Sequence, residues 1–206
     1  MTNKQYAILG FFAVILFWVT YFIMSNQRPE YSFMTKAISE LGSLDAPNKW
    51  VWNICGYVIP GVLIAVFGFG LYKNIVREKA SKLPLIGIVF SGLFMSLSGV
   101  FPGDLDNRES LTMLLHRIGS IGCYVFFLLG AFTYPKQMKK TNYWRRAIKP
   151  SLLFTWLTIV FGNWAFVVPE MPGVGQRIVF ALYFMWILFA AYRLYRQNDA
   201  KNTTHL

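Results

Sequence analysis

Long apolar stretches with little or no charge alternate along the chain with short segments that carry most of the charged side chains. A bilayer core about 30 Å thick is crossed by roughly 20 apolar residues in α-helix. Six stretches reach about that length, and they cover residues 6–24, 51–72, 83–103, 113–135, 150–169 and 178–195. Because backbone groups in lipid must bond within their own segment, each stretch is predicted to be a membrane-spanning helix.

The composition of the chain agrees with this pattern. Of 206 residues, 55% are hydrophobic and only 14% are charged, and the mean hydropathy is +0.43. These values exclude an ordinary water-soluble domain, a disordered chain and a disulfide-rich scaffold. We therefore predict an all-α polytopic membrane protein, with one six-helix transmembrane domain that covers residues 1–206.

The first apolar stretch also has to be compared with a cleaved signal peptide. It follows a short basic start at Lys4, as signal peptides do. Residues 6–24 are longer than a usual signal-peptide core, however, and no A-x-A-like cleavage site follows them. We expect this stretch to be retained as the first membrane helix.

Lysine and arginine are unevenly divided between the two sides of the predicted bundle. Fourteen of the 20 fall in the N-terminal segment, the second and fourth connections and the C-terminal tail, and five fall in the other connections. Cytoplasmic segments of membrane proteins carry such an excess. We therefore expect a multi-pass protein of the inner (cytoplasmic) membrane with both termini in the cytoplasm. Because the bases lie between spans, the net charge of +11 does not indicate nucleic-acid binding.

The first connection, residues 25–50, is long enough to hold structure of its own. At about 100° per residue its apolar side chains fall on one arc, which places Glu40 at the border of that arc. Ser32 could cap a helix here and Gly42 could end it. The pattern predicts an amphipathic helix that lies in the interface on the outer side of the membrane, opposite the cytoplasm. Its alternative role is that of an anchor with a solvated carboxylate. The residues on the arc are Phe33, Met34, Ala37, Ile38, Leu41 and Leu44.

Small residues recur at helical spacing in the third and fourth spans, which is typical of closely packed membrane helices. We expect these two spans to pack against each other through the small residues. The positions are Gly92, Ser96 and Gly99 in the third span, and His116, Gly119, Ser120 and Cys123 in the fourth.

Ionisable side chains within a membrane span are costly, and the pair His116-Arg117 in the fourth span is the clearest case here. Asp104 ends the preceding span, so an antiparallel pair of helices can bring it to His116. A carboxylate beside an imidazole fixes the tautomer and raises the basicity of the ring, as a general base requires. The predicted catalytic residues are His116, Asp104 and Glu40. The predicted substrate-binding residues are Arg117, Ser39 and Asn53.

Each of these residues also has a purely structural interpretation. Arg117 can extend to phosphate headgroups, and Asn53 can bond between helices. A nucleophilic triad of Ser39, His116 and Asp104 is geometrically feasible but lacks the glycine pattern of a nucleophile elbow. Two cysteines at membrane depth indicate neither a disulfide nor a metal site, and we expect no cofactor.

Three short motifs resemble a known family of bacterial and archaeal membrane proteins. ISELGS (Ile38–Ser43), GVFPGD (Gly99–Asp104) and the histidine that opens the fourth span are similar to the family catalogued as domain of unknown function 998. The resemblance implies that Ser39, Glu40, Asp104 and His116 are its recurring polar positions.

The same region resembles, more distantly, the eukaryotic Frag, DRAM and Sfk membrane proteins. They carry an Ile-Ser-acid-x-Gly stretch after span one and a histidine at the start of span four. The present chain has Glu40-Leu41-Gly42 where those proteins have Asp-Thr-Gly. This likeness implies a connection with lipid chemistry, because members of that group are linked to GPI-lipid remodelling and autophagy.

These observations favour a polar pocket in the outer leaflet that binds a lipid or other amphiphile and either holds it or modifies it. Arg117 would bind an anionic headgroup, and Glu40 would close the pocket. The expected partners are membrane lipids and an amphiphilic small molecule, with no nucleic acid. Two alternatives are a small transporter or channel subunit, and a structural or partner-binding protein without catalysis.

Overall fold

The computed structural model describes residues 1–76 and 80–202, with side chains through residue 197. Within these ranges the chain is 78% helix and contains no strand. Six helices are long and apolar enough to cross a membrane, which confirms the predicted all-α six-helix fold. They are α1 (Asn3–Asn26), α2 (Lys49–Ile75), α3 (Leu83–Val100), α4 (Leu111–Met138), α5 (Ile148–Val167) and α6 (Pro172–Asn202).

Each predicted span corresponds to one helix, but the ends differ by several residues. Helix α3 ends at Val100 rather than at 103, because Phe101 adopts an extended conformation before Pro102. Helix α6 begins at Pro172 rather than at 178, so Arg177 lies inside the helix and not in a loop. Two bases of the second connection, Arg77 and Lys79, fall outside the described residues.

Two of the helices are irregular. Helix α2 changes from α to π geometry over Asn53–Val58 and returns to α geometry over Ile59–Ile75. Helix α5 is regular over Ile148–Gly162 and continues after Asn163 as one short turn, Trp164–Val167. Both irregular segments lie near the end of the bundle that carries the first, third and fifth connections, and this end is named the lid side.

The first connection forms less helix than the sequence pattern predicts. Only Ile38–Gly42 is helical, and this segment is a 3₁₀-helix. A continuous α-helix would need the N–H and C=O groups of this segment for its own hydrogen bonds, but α6 binds two of these groups. Gly173 N–H donates to Met34 O over 2.9 Å, and Ile38 N–H donates to the side-chain oxygen of Gln176. Because α6 takes these bonds, residues 31–44, named the lid, lie on the bundle as an irregular segment.

Glycine contacts hold α3 against both of its neighbours. A Cβ added to Gly92 would lie 2.4 Å from Gly61 O of α2, and one added to Gly87 would lie 2.2 Å from Gly130 N of α4. A Cβ on Gly119 of α4 would lie 2.5 Å from Ser98 Oγ. Helices α3 and α4 therefore pack closely, as predicted. However, the predicted face with Gly92 contacts α2, and a different face of α3 contacts α4.

Aromatic side chains fill the centre of the bundle below the lid. The Phe17 ring of α1 lies 5.5 Å from the Trp52 ring and 6.3 Å from the Tyr57 ring, both on α2. It also lies 5.1 Å from Phe180 and 4.5 Å from Phe184 on α6. These separations are typical of interacting aromatic pairs, so one buried ring joins three helices. Two rings of this cluster, Tyr57 and Phe180, also form part of the wall of the candidate site.

Candidate functional site

The predicted catalytic residue Glu40 lies in the lid and holds its backbone. One carboxylate oxygen accepts a hydrogen bond of 2.8 Å from the Ala37 N–H, and the other lies 3.2 Å from Lys36 Nζ. Its backbone oxygen accepts a bond of 2.9 Å from Arg28 Nη1. The first of these contacts belongs to a capping arrangement at the start of the 3₁₀-helix. Both carboxylate oxygens thus have partners within the lid itself.

The second predicted catalytic residue, His116, is buried on α4 and contacts the end of α3. Its Nδ1 lies 2.9 Å from Ser98 O and 2.9 Å from Phe101 O. Carbonyl oxygens only accept, so Nδ1 carries the proton and bonds to both of them. In the neutral ring Nε2 is therefore unprotonated. None of the described residues forms a hydrogen bond with Nε2.

The third predicted catalytic residue, Asp104, lies in the loop between α3 and α4. Its Oδ1 accepts a hydrogen bond of 2.9 Å from the Asn107 N–H, which closes a turn within that loop. This loop touches the lid through a bond of 2.9 Å from the Leu44 N–H to Gly103 O. Among the described residues, no direct hydrogen bond or ion pair joins the side chains of Glu40, Asp104 and His116. Their joint catalytic role stays a prediction.

The three predicted binding residues occupy different places. Arg117 is exposed on α4. Asn53, at the start of the π segment, donates from Nδ2 to Gly42 O over 2.9 Å, and its buried Oδ1 has no hydrogen-bond partner. The contact explains the glycine in the lid, because a Cβ at Gly42 would lie 2.0 Å from that oxygen. Ser39 lines a cavity.

This cavity has a volume of about 420 Å³ and lies between the lid and helices α2 to α6. Apolar and aromatic side chains form most of its surface, and none of its lining residues is acidic, basic or a histidine. Its polar groups are uncharged. They include Ser39 in the lid, Ser98 on α3, Ser120 and Tyr124 on α4, and Gln176 and Tyr183 on α6. The volume is within the range of about 300–1,000 Å³ found for small-molecule sites.

His116 stands directly behind the serines of the cavity wall. Ser120 Oγ donates to His116 O over 3.0 Å, and Ser98 Oγ lies 3.2 Å from Ser120 Oγ. The imidazole ring lies 6.4 Å from the ring of Tyr57, which also lines the cavity. His116 itself does not line the cavity, so a role in chemistry there would require access past this wall.

The deep end of the cavity has a second hydroxyl network. Ser91 Oγ donates to Cys123 O over 2.9 Å and lies 3.2 Å from Tyr183 Oη. Because the serine hydrogen is already used, the tyrosine hydroxyl is the donor in that second contact. These bonds hold the side chain of Tyr183 at the inner limit of the cavity.

Arg177, which lies just before the predicted sixth span at residues 178–195, fastens the lid to α6. Its Nε donates to Tyr21 Oη over 2.7 Å, and Nη2 donates to Tyr31 Oη over 2.7 Å. Nη1 donates to Lys36 O over 2.8 Å. The guanidinium carbon also lies 5.3 to 5.6 Å from the ring centres of Tyr21, Tyr31 and Phe33, within range of cation–π attraction.

Tyr31 is the partner of Arg177 on the lid and remains protonated at neutral pH. Burial raises the pKa of the Tyr31 hydroxyl above its ordinary value, against the opposing effect of the Arg177 charge. The hydroxyl therefore donates to Ala37 O over 3.0 Å while it accepts from Arg177. One phenol thus joins the first residue and the middle of the lid to α6.

Gln176 and Arg177 are the functional residues that sequence reasoning missed. The predicted sixth span began only after the charge of Arg177, so both residues were placed before the helix. Pro172 was the available signal, because proline is favoured in the first turn of a helix.

Among the described residues, no group of three His, Cys, Asp or Glu side chains is arranged to hold a metal ion.

The fold defines a multi-pass helical membrane protein, and the described residues enclose a cavity under a lid. The comparison with known families gives a match over residues 11–193 to the family described as Protein of unknown function (DUF998). The chain belongs to this family, as the resemblance in its motifs predicted. No curated protein and no solved structure matches the chain.

Proposed function

We propose that this protein binds a lipid or another amphiphile in the cavity beneath the lid. The observation that carries the proposal is the character of the lining, which is mostly apolar, has several hydroxyl and amide groups and has no charged side chain. A cavity of this kind excludes ions, which would lose hydration without a partner. It suits an apolar chain attached to a neutral polar group, with hydrogen bonds available from Ser39 and Gln176.

Chemical modification of this ligand is a second part of the proposal. The neutral His116 ring has an unprotonated Nε2 next to Gly103, whose added Cβ would lie 3.9 Å from that atom. Asp104 follows in the chain, and movement of its loop would bring a carboxylate toward the imidazole. His116 would then act as a general base on a ligand group, and Glu40 would close the site from the lid. Arg117, which is exposed outside the cavity, would bind the headgroup of a neighbouring anionic lipid.

The location of the protein completes the proposal. The excess of lysine and arginine on the side opposite the lid supports an inner-membrane protein with cytoplasmic termini and with the lid in the outer leaflet. The likeness of Ile38–Gly42 and His116 to the Frag, DRAM and Sfk proteins supports a lipid as the ligand. That relation is itself part of the proposal.

A cavity-filling variant tests the binding proposal. Ala165 lines the cavity and is exposed on α5, whereas Val167 on the same short turn does not line it. The thermal shift of the purified protein would be measured with monoolein and with oleyl alcohol. We expect stabilisation of the native protein and of Val167→Trp, and loss of stabilisation in Ala165→Trp. Equal stabilisation of the two variants would contradict the proposal. So would the absence of any stabilisation of the native protein.

A further inference from the structure

Helices α4 and α5 are in contact in the half of the bundle away from the lid. The Phe132 ring lies 5.2 Å from the Trp156 ring, and Tyr124 Oη donates to Thr158 O over 3.2 Å. The two helices run antiparallel, so Ser120 of α4 and Gly162 of α5 both lie one turn closer to the lid, and a Cβ added to Gly162 would lie 3.1 Å from Tyr124 Oη. Both residues line the cavity and both are exposed. The cavity therefore has a mouth between α4 and α5, just above the Tyr124–Thr158 contact.

The surface around this mouth is apolar. Ile121 is 63% exposed, Val160 is 62% exposed and Phe166 is 87% exposed. Ser120 lies nine residues after Leu111, the first residue of α4, which places it roughly 14 Å along the helix axis. Large exposed apolar side chains at this depth are those of a surface that faces hydrocarbon. The mouth thus opens toward lipid chains and not toward water.

The lid covers the cavity on the side that faces water. Ala37 and Ser39 of the lid are part of the lining, so the lid forms its roof. Bonds at both ends hold the roof in place, from Gln176 and Arg177 of α6 at one end and from Asn53 of α2 at the other. A ligand from the aqueous phase would have to break these bonds, whereas a ligand in the bilayer would not.

We infer that the ligand enters sideways from the bilayer through the mouth between α4 and α5, and that it is therefore a membrane-dissolved molecule with an uncharged polar group. This inference rests on the proposed binding function. Hydroxyl groups of Ser120 and Tyr124 stand at the mouth and meet the polar group as it passes. A charged headgroup has no partner inside the cavity, because no lining residue carries charge.

Native Cys123 is a probe of the route, because it lines the cavity below the mouth. The full chain with Cys55→Ser would be placed in phosphatidylcholine vesicles. Its labelling by pyrene maleimide dissolved in the bilayer would be compared with labelling by a permanently charged thiosulfonate added in water. Each rate is divided by the rate of the same reagent on the unfolded protein. We expect the lipid-dissolved reagent to be favoured about tenfold or more, since a charged group crosses an apolar mouth poorly.

Variants at the mouth provide the control. Ser120→Phe and Gly162→Phe should each slow labelling from the bilayer about tenfold, whereas Ile121→Phe, on the adjacent lipid-facing surface, should not. Two mouth variants are used because Ser120 also bonds to Ser98. Equal normalised rates for the two reagents, no labelling from the bilayer, or mouth variants that label like the parent would overturn the inference. The assay contains no ligand, so this failure is distinct from loss of the monoolein shift.

Discussion

Replacement of Arg177 by Gln should release the lid from α6 without unfolding the bundle. The guanidinium makes two hydrogen bonds that cross to the lid, at 2.8 Å to Lys36 O and 2.7 Å to Tyr31 Oη. A hydrogen bond from a charged group contributes about 1.5–3 kcal/mol. Because one end of Arg177 is partly solvated and glutamine recovers part of the bonding, we expect a loss of about 2–4 kcal/mol in the free energy of lid opening. This corresponds to roughly 30- to 700-fold more frequent opening.

Hydrogen–deuterium exchange of the backbone amides measures this opening directly. The Ile38 amide, which bonds to Gln176, and the Leu44 amide, which bonds to Gly103 O, should exchange faster in Arg177→Gln. Amides in the centres of α3 and α4 should keep their protection. Arg108→Gln, in the exposed loop after α3, is the matched control and should change nothing in the lid. Unchanged lid exchange in a folded Arg177→Gln protein would refute the assigned role of the arginine.

Three further changes test the packing, the histidine and the topology. Gly87→Ala places a Cβ 2.2 Å from the backbone of the facing helix and should lower the melting temperature, at a cost of about 1–3 kcal/mol, whereas Gly162→Ala, whose Cβ would lie 3.1 Å from the end of the Tyr124 side chain, should lower it less. His116→Ala should weaken the monoolein-linked thermal shift of a protein that still folds in detergent, because the ring bonds to Ser98 O and Phe101 O behind the cavity wall; failure to fold would favour a structural role. Cysteines at Asp106 and Lys140 should react with impermeant reagents from opposite sides of the membrane, and reaction from one side would overturn the topology.

The helices could be predicted because membrane spans depend on a property that the sequence displays directly. Hydrocarbon thickness fixes the length of an apolar run, and backbone bonding within the run fixes its conformation. The start of α3 at Leu83 was predicted to the residue. The start of α6 was not, because Arg177 is stabilised inside the helix by tyrosines from α1 and the lid, which are distant in the sequence.

The lid shows a different limit. Its apolar periodicity predicted an α-helix, and Ile38 and Leu41 of that pattern are indeed fully buried. The backbone conformation was decided by bonds to Gln176 and Gly173 of α6, and periodicity carries no information about them. Tertiary hydrogen bonds therefore overrode local preference in this segment.

The candidate site was predictable only in part. Four of the six residues chosen from the sequence are ionisable, because such side chains are rare within membrane spans, and of the six only Ser39 lines the cavity. The cavity is built mainly from aromatic and small residues, which look the same in sequence whether they fill a core or leave it open. Packing geometry, which the composition of a span does not encode, determines which of these outcomes occurs.

The π turn of α2 gives one helix two independent orientations. A π turn accommodates one more residue than an α turn, so the segments before and after it are rotated relative to each other by about 100°. On the lid side this rotation directs Asn53 to the lid and Tyr57 to the cavity, while beyond it Gly61 and Gly68 face α3. Regular α geometry over the same residues would turn Gly61 and Gly68 about 100° away from α3 if Asn53 kept its bond to the lid. The helix could then line the cavity or fit closely along α3, but not both.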